Sequence, residues 1–255
     1  MTVLSVNLNK IALMRNAREG HRPSVVEAAN TVIKAGAAGL TVHPRPDQRH
    51  IRPQDVTDRS AVAKKHEHIE FNIEGNPFSE ARDNGYPGFT ALIEQTHPEQ
   101  ATLVPDSDNQ LTSDHGWDLT NFNQPLAELI SHYQSLGARV SLFMDPDFDQ
   151  IENAKKHGAD RIELYTGPFA ENVWTHGVDS DAARNSLRTY LTASQYACQI
   201  GLGVNAGHDL DLTNLGMFAT ISEVSEVSIG HALIADALER GLFETVRAYL
   251  AILKQ

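Results

Sequence analysis

The sequence predicts an α/β protein, a single-domain (β/α)8 barrel, from three observations. A helical stretch ends at a glycine and an apolar strand begins two to four residues later at 34–43, 135–145, 156–166 and 199–208. These strands are apolar over consecutive positions, which is typical of parallel strands buried on both faces. The 255 residues are enough for eight such βα units in one domain, 1–255.

Eight strands are expected along the chain. Four are the strands of the glycine junctions, and the others are expected at 4–8, 69–73, 101–105 and 226–230. The main alternative is a doubly wound sheet, because it has the same alternation with fewer strands. No G-x-G-x-x-G pattern follows the first strand, so the barrel is favoured.

The helices carry their own start and stop signals. Ser24 and Glu27 form a capping-box pattern at the start of one helix, and Gly36 is suited to end it. The helix before Gly201 shows an apolar stripe that includes Cys198. We therefore expect Cys198 to lie in the core as an inert side chain.

Composition limits the partners and the compartment. Lys and Arg total 21 against 33 Asp and Glu, a formal net charge of −12, so nucleic acid and anionic membrane surfaces are not expected partners. The single cysteine excludes an intrachain disulfide and a cysteine-based zinc site. We find no secretory signal pattern and no apolar run that could span a membrane, so the cytoplasm is expected.

Polar residues follow the predicted strands, and barrel enzymes place their chemistry at the carboxyl ends of the strands. Three imidazoles and several carboxylates converge there, which suits repeated proton transfer near neutral pH. Arginine and lysine side chains at the same end suit phosphate. The candidates are Asn7, Lys10, Arg18, His43, Arg45, His50, Glu74, Glu163, His208, Asp209, Gly230 and His231, with Thr112 in the loop after the fourth strand.

The longest polar connection is the segment 106–125, which we expect to be an active-site loop. Within it, the run 113–116 suggests a hinge and Trp117 an apolar anchor. Other features have simpler interpretations. A single histidine at a strand end is more often structural than catalytic. Glu163 would, in the simpler interpretation, only pair with a base inside the barrel. The run His66-Glu67-His68 is better explained as a solvated loop than as a metal motif.

The sequence resembles the pyridoxine 5′-phosphate synthase family of the deoxyxylulose-phosphate-dependent vitamin B6 pathway. The resemblance includes all eight predicted strands, and its R-N-A-R, H-P-R-x-D-x-R-H-I and N-A-G-H motifs are highly specific. The matching segments are 6–18, 39–51, 71–76, 102–106, 140–147, 161–170, 203–210 and 227–234.

The resemblance implies a transferase that condenses 3-amino-2-oxopropyl phosphate with 1-deoxy-D-xylulose 5-phosphate. Ring closure then gives pyridoxine 5′-phosphate, phosphate and water. It also implies a (β/α)8 barrel without metal or organic cofactor, assembled as an octamer built from dimers.

The resemblance also implies roles for individual residues. His43 corresponds to the general base, Glu74 to the second acid/base and His208 to the late proton donor. The expected aminoketone-phosphate ligands are Asn7, Arg18, Asp209, Gly230 and His231, and the expected pentulose-phosphate ligands are Arg45, His50 and Thr112. Lys10 and Glu163 are further candidates from the strand ends.

Three positions depart from many family members. This chain has Asn9-Lys10 in place of Asp-His, Asp209 in place of Gly, and Asp106-Ser107-Asp108 in place of a basic E-K-R segment. The last change is expected to make the fourth-strand loop acidic. The departures leave the three catalytic positions unchanged.

Two other functions remain open from the residues alone. A metal-dependent aldolase or epimerase on phosphosugars would use His43, Glu74 and His208 as metal ligands, and a Lys10 Schiff-base aldolase is a variant of it. A non-catalytic phosphometabolite-binding protein would need the anion ligands but no set of three proton-transfer groups.

Overall fold

A computed structural model describes residues 2–18 and 20–254. Eight parallel strands close into a barrel in which each strand pairs with its sequence neighbours and β8 pairs with β1. The strands are β1 (Val3–Asn7), β2 (Gly39–Val42), β3 (Glu70–Gly75), β4 (Gln100–Leu103), β5 (Arg139–Met144), β6 (Arg161–Tyr165), β7 (Gly203–Gly207) and β8 (Val224–Ile229). The predicted (β/α)8 barrel is confirmed, and the doubly wound sheet is excluded because an open sheet has no β1–β8 pairing.

Helices surround the barrel. In chain order they are α1 (Asn9–Asn16), α2 (Val25–Ala35), α3 (Pro53–Ala63), α4 (Phe89–Thr96), α5 (Gln124–Ser135), α6 (Phe148–Lys156), α7 (Gly167–His176), α8 (Asp181–Gln199), α9 (Leu215–Phe218), α10 (His231–Arg240) and α11 (Leu242–Leu253). No helix of the described ranges is long and apolar enough to cross a membrane.

The local signals at α2 and α8 had different outcomes. Ser24 caps α2 by accepting a hydrogen bond from the Glu27 backbone N–H at 3.2 Å, and Gly36 ends the helix in the left-handed conformation, as predicted. On α8 the prediction of a buried Cys198 is wrong, because its side chain is exposed. Tyr190 and the small residues of the neighbouring face pack inward instead.

The two faces of the barrel strands differ in polarity. Outward-facing residues such as Leu40 and Val42 are fully buried between the strands and the helices. The barrel interior is lined by polar side chains, and hydrogen bonds between them join strands that are not neighbours. Thr102 on β4, for example, donates to Glu163 on β6 at 3.4 Å. Period-2 alternation therefore directs the apolar side chains outward and small polar side chains into the barrel.

Candidate active site

A cavity of about 430 Å³ opens at the carboxyl ends of the strands. The predicted site residues that line it are Asn7, Lys10, His43, Arg45, His50, Glu74, Thr112, Glu163, His208, Asp209, Gly230 and His231. They meet because parallel strands all direct their carboxyl ends to one side of the barrel. The structure therefore brings together every predicted site residue except Arg18.

Arg18 lies in the bend that follows α1, where it is exposed and does not line the cavity. In this structure Arg18 therefore lies apart from the other candidate residues. Its assignment to the aminoketone phosphate stays a prediction.

His43 lies between two carboxylates. Its Nδ1 atom is 3.9 Å from Glu74 Oε2, and its Nε2 atom is 3.9 Å from Asp106 Oδ2. Its backbone N–H donates to Asn9 Oδ1 at 2.8 Å, which fixes the position of the residue just beyond β2. Burial lowers the pKa of His43 well below its ordinary value, and Arg45 adds to the shift. The imidazole is therefore neutral at pH 7 and able to accept a proton.

Glu74 lies near the end of β3 and is buried. Its Oε2 atom accepts a hydrogen bond from Asn7 Nδ2 at 3.1 Å, and its Oε1 atom accepts one from Ser228 Oγ at 3.4 Å. Burial, together with the Asp106 carboxylate, raises the pKa of Glu74 to about 8. At neutral pH Glu74 is mostly protonated and able to donate a proton. His43 and Glu74 thus have opposite proton-transfer capacities, as an acid–base pair requires.

Glu163 lies deeper in the barrel. Burial and the Glu74 carboxyl raise its pKa well above the ordinary value. A Cβ atom at position 207 would overlap the Glu163 carboxyl group, so Gly207 on β7 leaves room for it. In this structure its hydrogen-bond partner is the Thr102 hydroxyl, and the base that the structural interpretation requires is not among its partners within the described chain.

Arg45 and His50, in the segment that follows β2, form one wall of the cavity. Arg45 donates from Nη1 to the Gln110 carbonyl at 2.7 Å and from Nη2 to Asp106. His50 Nδ1 accepts from the Ile51 backbone N–H at 2.9 Å. Burial, with Arg45 and Lys10 nearby, lowers the pKa of His50 to about 3, so His50 is a neutral hydrogen-bonding group at pH 7.

Another wall of the cavity contains His208 and Asp209, which follow β7. Both have positive φ angles, 88° and 59°, so the chain turns sharply into the cavity. His208 Nε2 lies 3.0 Å from Thr112 Oγ1, and its Nδ1 lies 3.0 Å from Asp209 Oδ2. That hydrogen bond is the main reason that the pKa of Asp209 is lowered. The Asp209 side chain is directed to His208, while Gly230 and His231 present the N-terminus of α10 to the same cavity.

The loop predicted at 106–125 covers part of the mouth, although α5 already begins at Gln124. Trp117 anchors it by donating from Nε1 to the Leu103 carbonyl at 2.9 Å. Within the run 113–116, Gly116 is held too tightly to serve as a hinge, and a hinge at 113–115 stays a prediction. Gly116 is buried, its N–H donates to Asp145 Oδ2 at 3.1 Å, and a Cβ there would overlap the backbone of Met144 and Asp145.

Two site residues were missed as such. Asp106 was expected to make the loop acidic, but its carboxylate is buried against Arg45. Its place just after β4 was visible in the sequence, whereas its partner was not. Asn9 was noted only as a departure, yet it holds the His43 backbone. Their contacts span 61 and 34 positions, beyond the reach of local patterns.

No group of three or more His, Cys, Asp or Glu side chains within 2–18 and 20–254 is arranged to hold a metal ion. His66-Glu67-His68 lies in the turn before β3, at the opposite end of the barrel from the cavity. That location agrees with the interpretation of this motif as a solvated loop.

Residues 4–255 match the family described as pyridoxal phosphate biosynthesis protein PdxJ. A relative from Xanthomonas axonopodis pv. citri, named pyridoxine 5′-phosphate synthase, is 55% identical over 254 residues, which are 99% of this chain and 97% of that one. This chain belongs to the PdxJ family. A relative of the same name from Xylella fastidiosa is 53% identical over 253 residues, 99% of this chain and 95% of that one.

Family membership confirms the resemblance found in the sequence and favours the synthase over the metal-dependent aldolase or epimerase. Among solved structures, 3-hexulose-6-phosphate synthase from Salmonella typhimurium is similar with a TM-score of 0.64 and 14% identity, over 100% of this chain and 99% of that one. At this identity the likeness supports the barrel fold alone.

Proposed function

We propose that this chain is a pyridoxine 5′-phosphate synthase. It condenses 3-amino-2-oxopropyl phosphate with 1-deoxy-D-xylulose 5-phosphate and closes the pyridine ring, releasing phosphate and water. The observation that carries the proposal is the convergence of His43, Glu74 and His208 on one cavity, in a chain of the PdxJ family. Condensing an amine with a ketone, eliminating phosphate and water, and closing an aromatic ring all require repeated proton transfers.

His43 and Glu74 perform the early proton transfers in this proposal. The buried, neutral His43 removes a proton from the substrate, and the protonated Glu74 donates one. The two groups lie 3.9 Å apart at their nearest atoms, so a proton can pass between them after a small movement. Each group can then be restored for the next step without exchange with bulk water.

His208 donates the late proton. Its Nδ1 atom faces Asp209 and its Nε2 atom faces Thr112 in the covering loop. It lines the same cavity as His43 and Glu74 and enters it from the turn after β7, so it can act on the same intermediate.

Two substrates with phosphate groups require two anion sites, and the cavity has two suitable walls. The family resemblance assigns Arg45, His50 and Thr112 to the pentulose phosphate, and all three line the cavity. The Arg45 guanidinium suits such a role because it recognises phosphate through paired hydrogen bonds. The N-terminus of α10 at Gly230 and His231, with Asn7 and the Asp209 backbone, is assigned to the aminoketone phosphate. Arg18 belongs to the same proposal, although it lies outside the described cavity.

The assembly and the compartment are part of the proposal. We expect a homo-octamer built from dimers, which sedimentation velocity of the purified protein would test. We expect a cytoplasmic location because phosphorylated substrates of this kind do not cross membranes unaided.

A turnover assay tests the function. The purified protein is incubated with both substrates, and pyridoxine 5′-phosphate is measured by absorbance and mass. Product that forms equally well with a strong chelator present supports the cofactor-free synthase, whereas loss of product that a divalent ion restores supports the metal-dependent rival. Tight binding of both phosphates without any product would identify a binding protein instead.

A further inference from the structure

Asp106 lies beside Arg45 and His43, two residues to which roles have already been given. It is buried, and its Oδ2 atom accepts hydrogen bonds from Arg45 Nη2 and from Ser113 Oγ, the latter at 2.8 Å. The same oxygen is 3.9 Å from His43 Nε2. Its other oxygen, Oδ1, is buried without a hydrogen-bond partner among the residues that the structure describes. Such a carboxylate is costly to bury, so an arrangement of this kind requires a compensating role.

The contact with His43 makes the surroundings of that imidazole two-sided. Glu74 faces Nδ1 and Asp106 faces Nε2, each at 3.9 Å. Neither distance is a hydrogen bond, but a carboxylate 3.9 Å from an imidazolium interacts with it strongly in a buried site. When His43 takes a proton from substrate, the Asp106 carboxylate stabilises the imidazolium that forms.

The contact with Arg45 fixes the direction of its guanidinium. Nη1 is bonded to the Gln110 carbonyl and Nη2 to Asp106, so the plane of the group is set before substrate arrives. A preset plane reduces the entropy that a phosphate must overcome on binding.

We propose that Asp106 is a positioning residue for this reaction, which directs the Arg45 guanidinium toward the pentulose phosphate and provides a carboxylate beside His43. The inference rests on the proposed function. Asp106 itself does not contact substrate in this proposal and acts through Arg45 and His43.

The pH–rate profile reports the pKa of Glu74. Removal of Asp106 would shift that profile if Asp106 is a positioning residue, but not if its role is purely structural. Asp106 and Glu226 raise the pKa of Glu74, whereas hydrogen bonds from Ser228 and Asn7 lower it. His43 faces Glu74 from β2, and Glu74 itself raises the pKa of Glu163 deeper in the barrel. Asp106 is the largest contributor after burial. Removing the Asp106 charge therefore lowers the pKa of Glu74, and the limb of the pH–rate profile governed by Glu74 moves to lower pH.

The experiment compares Asp106→Asn with Asp106→Glu and the matched control Asp108→Asn. Asp108 lies in the same loop but is exposed, with its carboxylate bonded to Arg82. We expect Asp106→Asn to lower kcat/KM for the pentulose phosphate by about 10- to 100-fold, the scale of one hydrogen bond to a charged group. The pH limb should shift to lower pH. Asp106→Glu should keep the limb in place because it keeps the charge, and Asp108→Asn should match the wild type.

The outcomes separate this inference from the proposed function. A wild-type protein that forms no product overturns the proposed function and, with it, this inference. An active wild type, with Asp106→Asn equal to Asp108→Asn in pH profile and in kcat/KM, overturns the role of Asp106 alone. Circular dichroism melting checks that the variants fold.

Should Asp106→Asn fail to fold, Ser113→Ala gives a second test. It removes a hydrogen bond from the same oxygen without changing formal charge. We expect a higher KM for the pentulose phosphate and a smaller shift of the limb in the same direction. Values equal to those of the wild type would contradict the inference.

Discussion

The two ends of the barrel interior both contain charged side chains, but they differ in how completely these side chains are paired. At the amino end of the strands, Gln100 accepts hydrogen bonds from Arg139 at 3.0 Å and from Asn205 at 3.1 Å, and it donates to Glu226 at 3.2 Å. Arg161 donates to Asn205 at 2.7 Å. Bases, acids and amides alternate there, so most polar groups have a partner.

At the carboxyl end, several acidic groups are close together. Glu74, Asp106 and Glu163 are all buried, and burial raises the pKa of each. His43 has carboxylates near both ring nitrogens at 3.9 Å, beyond hydrogen-bond distance. The comparison shows that a network with satisfied partners serves stability, whereas crowded and incompletely paired groups are suited to proton transfer.

The largest effects should come from the two groups of the acid–base pair. We expect His43→Ala and Glu74→Gln each to lower turnover by about 10²–10⁴-fold, the usual range for loss of a general acid or base. Both proteins should fold, because neither side chain belongs to the apolar layer between strands and helices. A product assay with circular dichroism measures both properties. Near-normal turnover in a folded variant would remove that residue from the mechanism.

The opposite end of the barrel should respond in stability and not in chemistry. Gln100→Leu removes the hydrogen-bond partner of Glu226 and one of the two partners of Asn205, so we expect a loss of about 2–4 kcal/mol in the free energy of unfolding. Turnover per folded molecule should stay near that of the wild type. The control is Gln124→Leu, at an exposed position bonded only to Glu128. Denaturant unfolding measures the difference, and a strong loss of turnover in folded Gln100→Leu would contradict the division between the two ends.

The fold followed from the sequence more completely than the barrel interior did. The glycine junctions predicted parallel strands because a left-handed glycine ends a helix and an apolar strand follows it. Thr41 between Leu40 and Val42 did not interrupt that pattern, since threonine suits strands. Its inward direction becomes visible only through hydrogen bonds across the barrel, such as that between Ser228 and Thr41 at 3.3 Å.

The site could be predicted as a set of residues but not as a set of contacts. Strand ends that converge in space bring His43, Glu74 and His208 together whatever their separation in sequence. The partners of Asp106 and the exposed location of Arg18 depend on loop conformations, for which the sequence carries no periodic signal. Cys198 was misplaced because Leu187 and Leu191 pack at the edge of the core, while the inward face of α8 is formed by Tyr190 and small residues that allow close approach.

The raised pKa of Glu74 predicts how stability depends on pH. The protonated form is favoured in the folded protein, so its stabilisation is complete below the ordinary value of 4.5 and is lost as pH rises to about 8. Stability should therefore fall across this interval. Glu74→Gln should make the fall shallower without abolishing it, because Glu163 and Asp106 shift in the same direction. Melting temperatures from pH 5 to pH 8.5 measure this, and exposed Glu128→Gln should leave the slope unchanged.

A smaller effect is expected at the anion wall. Lysine at position 45 keeps the charge but cannot reach both the Gln110 carbonyl and Asp106 with one planar group. We expect Arg45→Lys to raise KM for the pentulose phosphate by about tenfold, the scale of one hydrogen bond to a charged group. KM for the aminoketone should change little. Varying each substrate separately distinguishes the two, with exposed Arg82→Lys as control, and equal rises in both KM values would show that Arg45 does not mark one site.

The smallest effect concerns the loop at 106–125, which we expect to close over bound pentulose phosphate. Such loops shield intermediates from water and complete a site. Gly116 and Trp117 are held against β4 and β5, so movement should be confined to the part before them. Thr112 joins that part to His208 across the mouth. Hydrogen exchange of peptides from 107–115 should slow by about tenfold with saturating pentulose phosphate, equivalent to about 1.4 kcal/mol of added protection. Thr112→Ala should lose this protection, whereas Thr120→Ala, at an exposed position near the end of the same loop, should retain it. Exchange that is unchanged by ligand in the wild type would show that the loop is a fixed part of the wall.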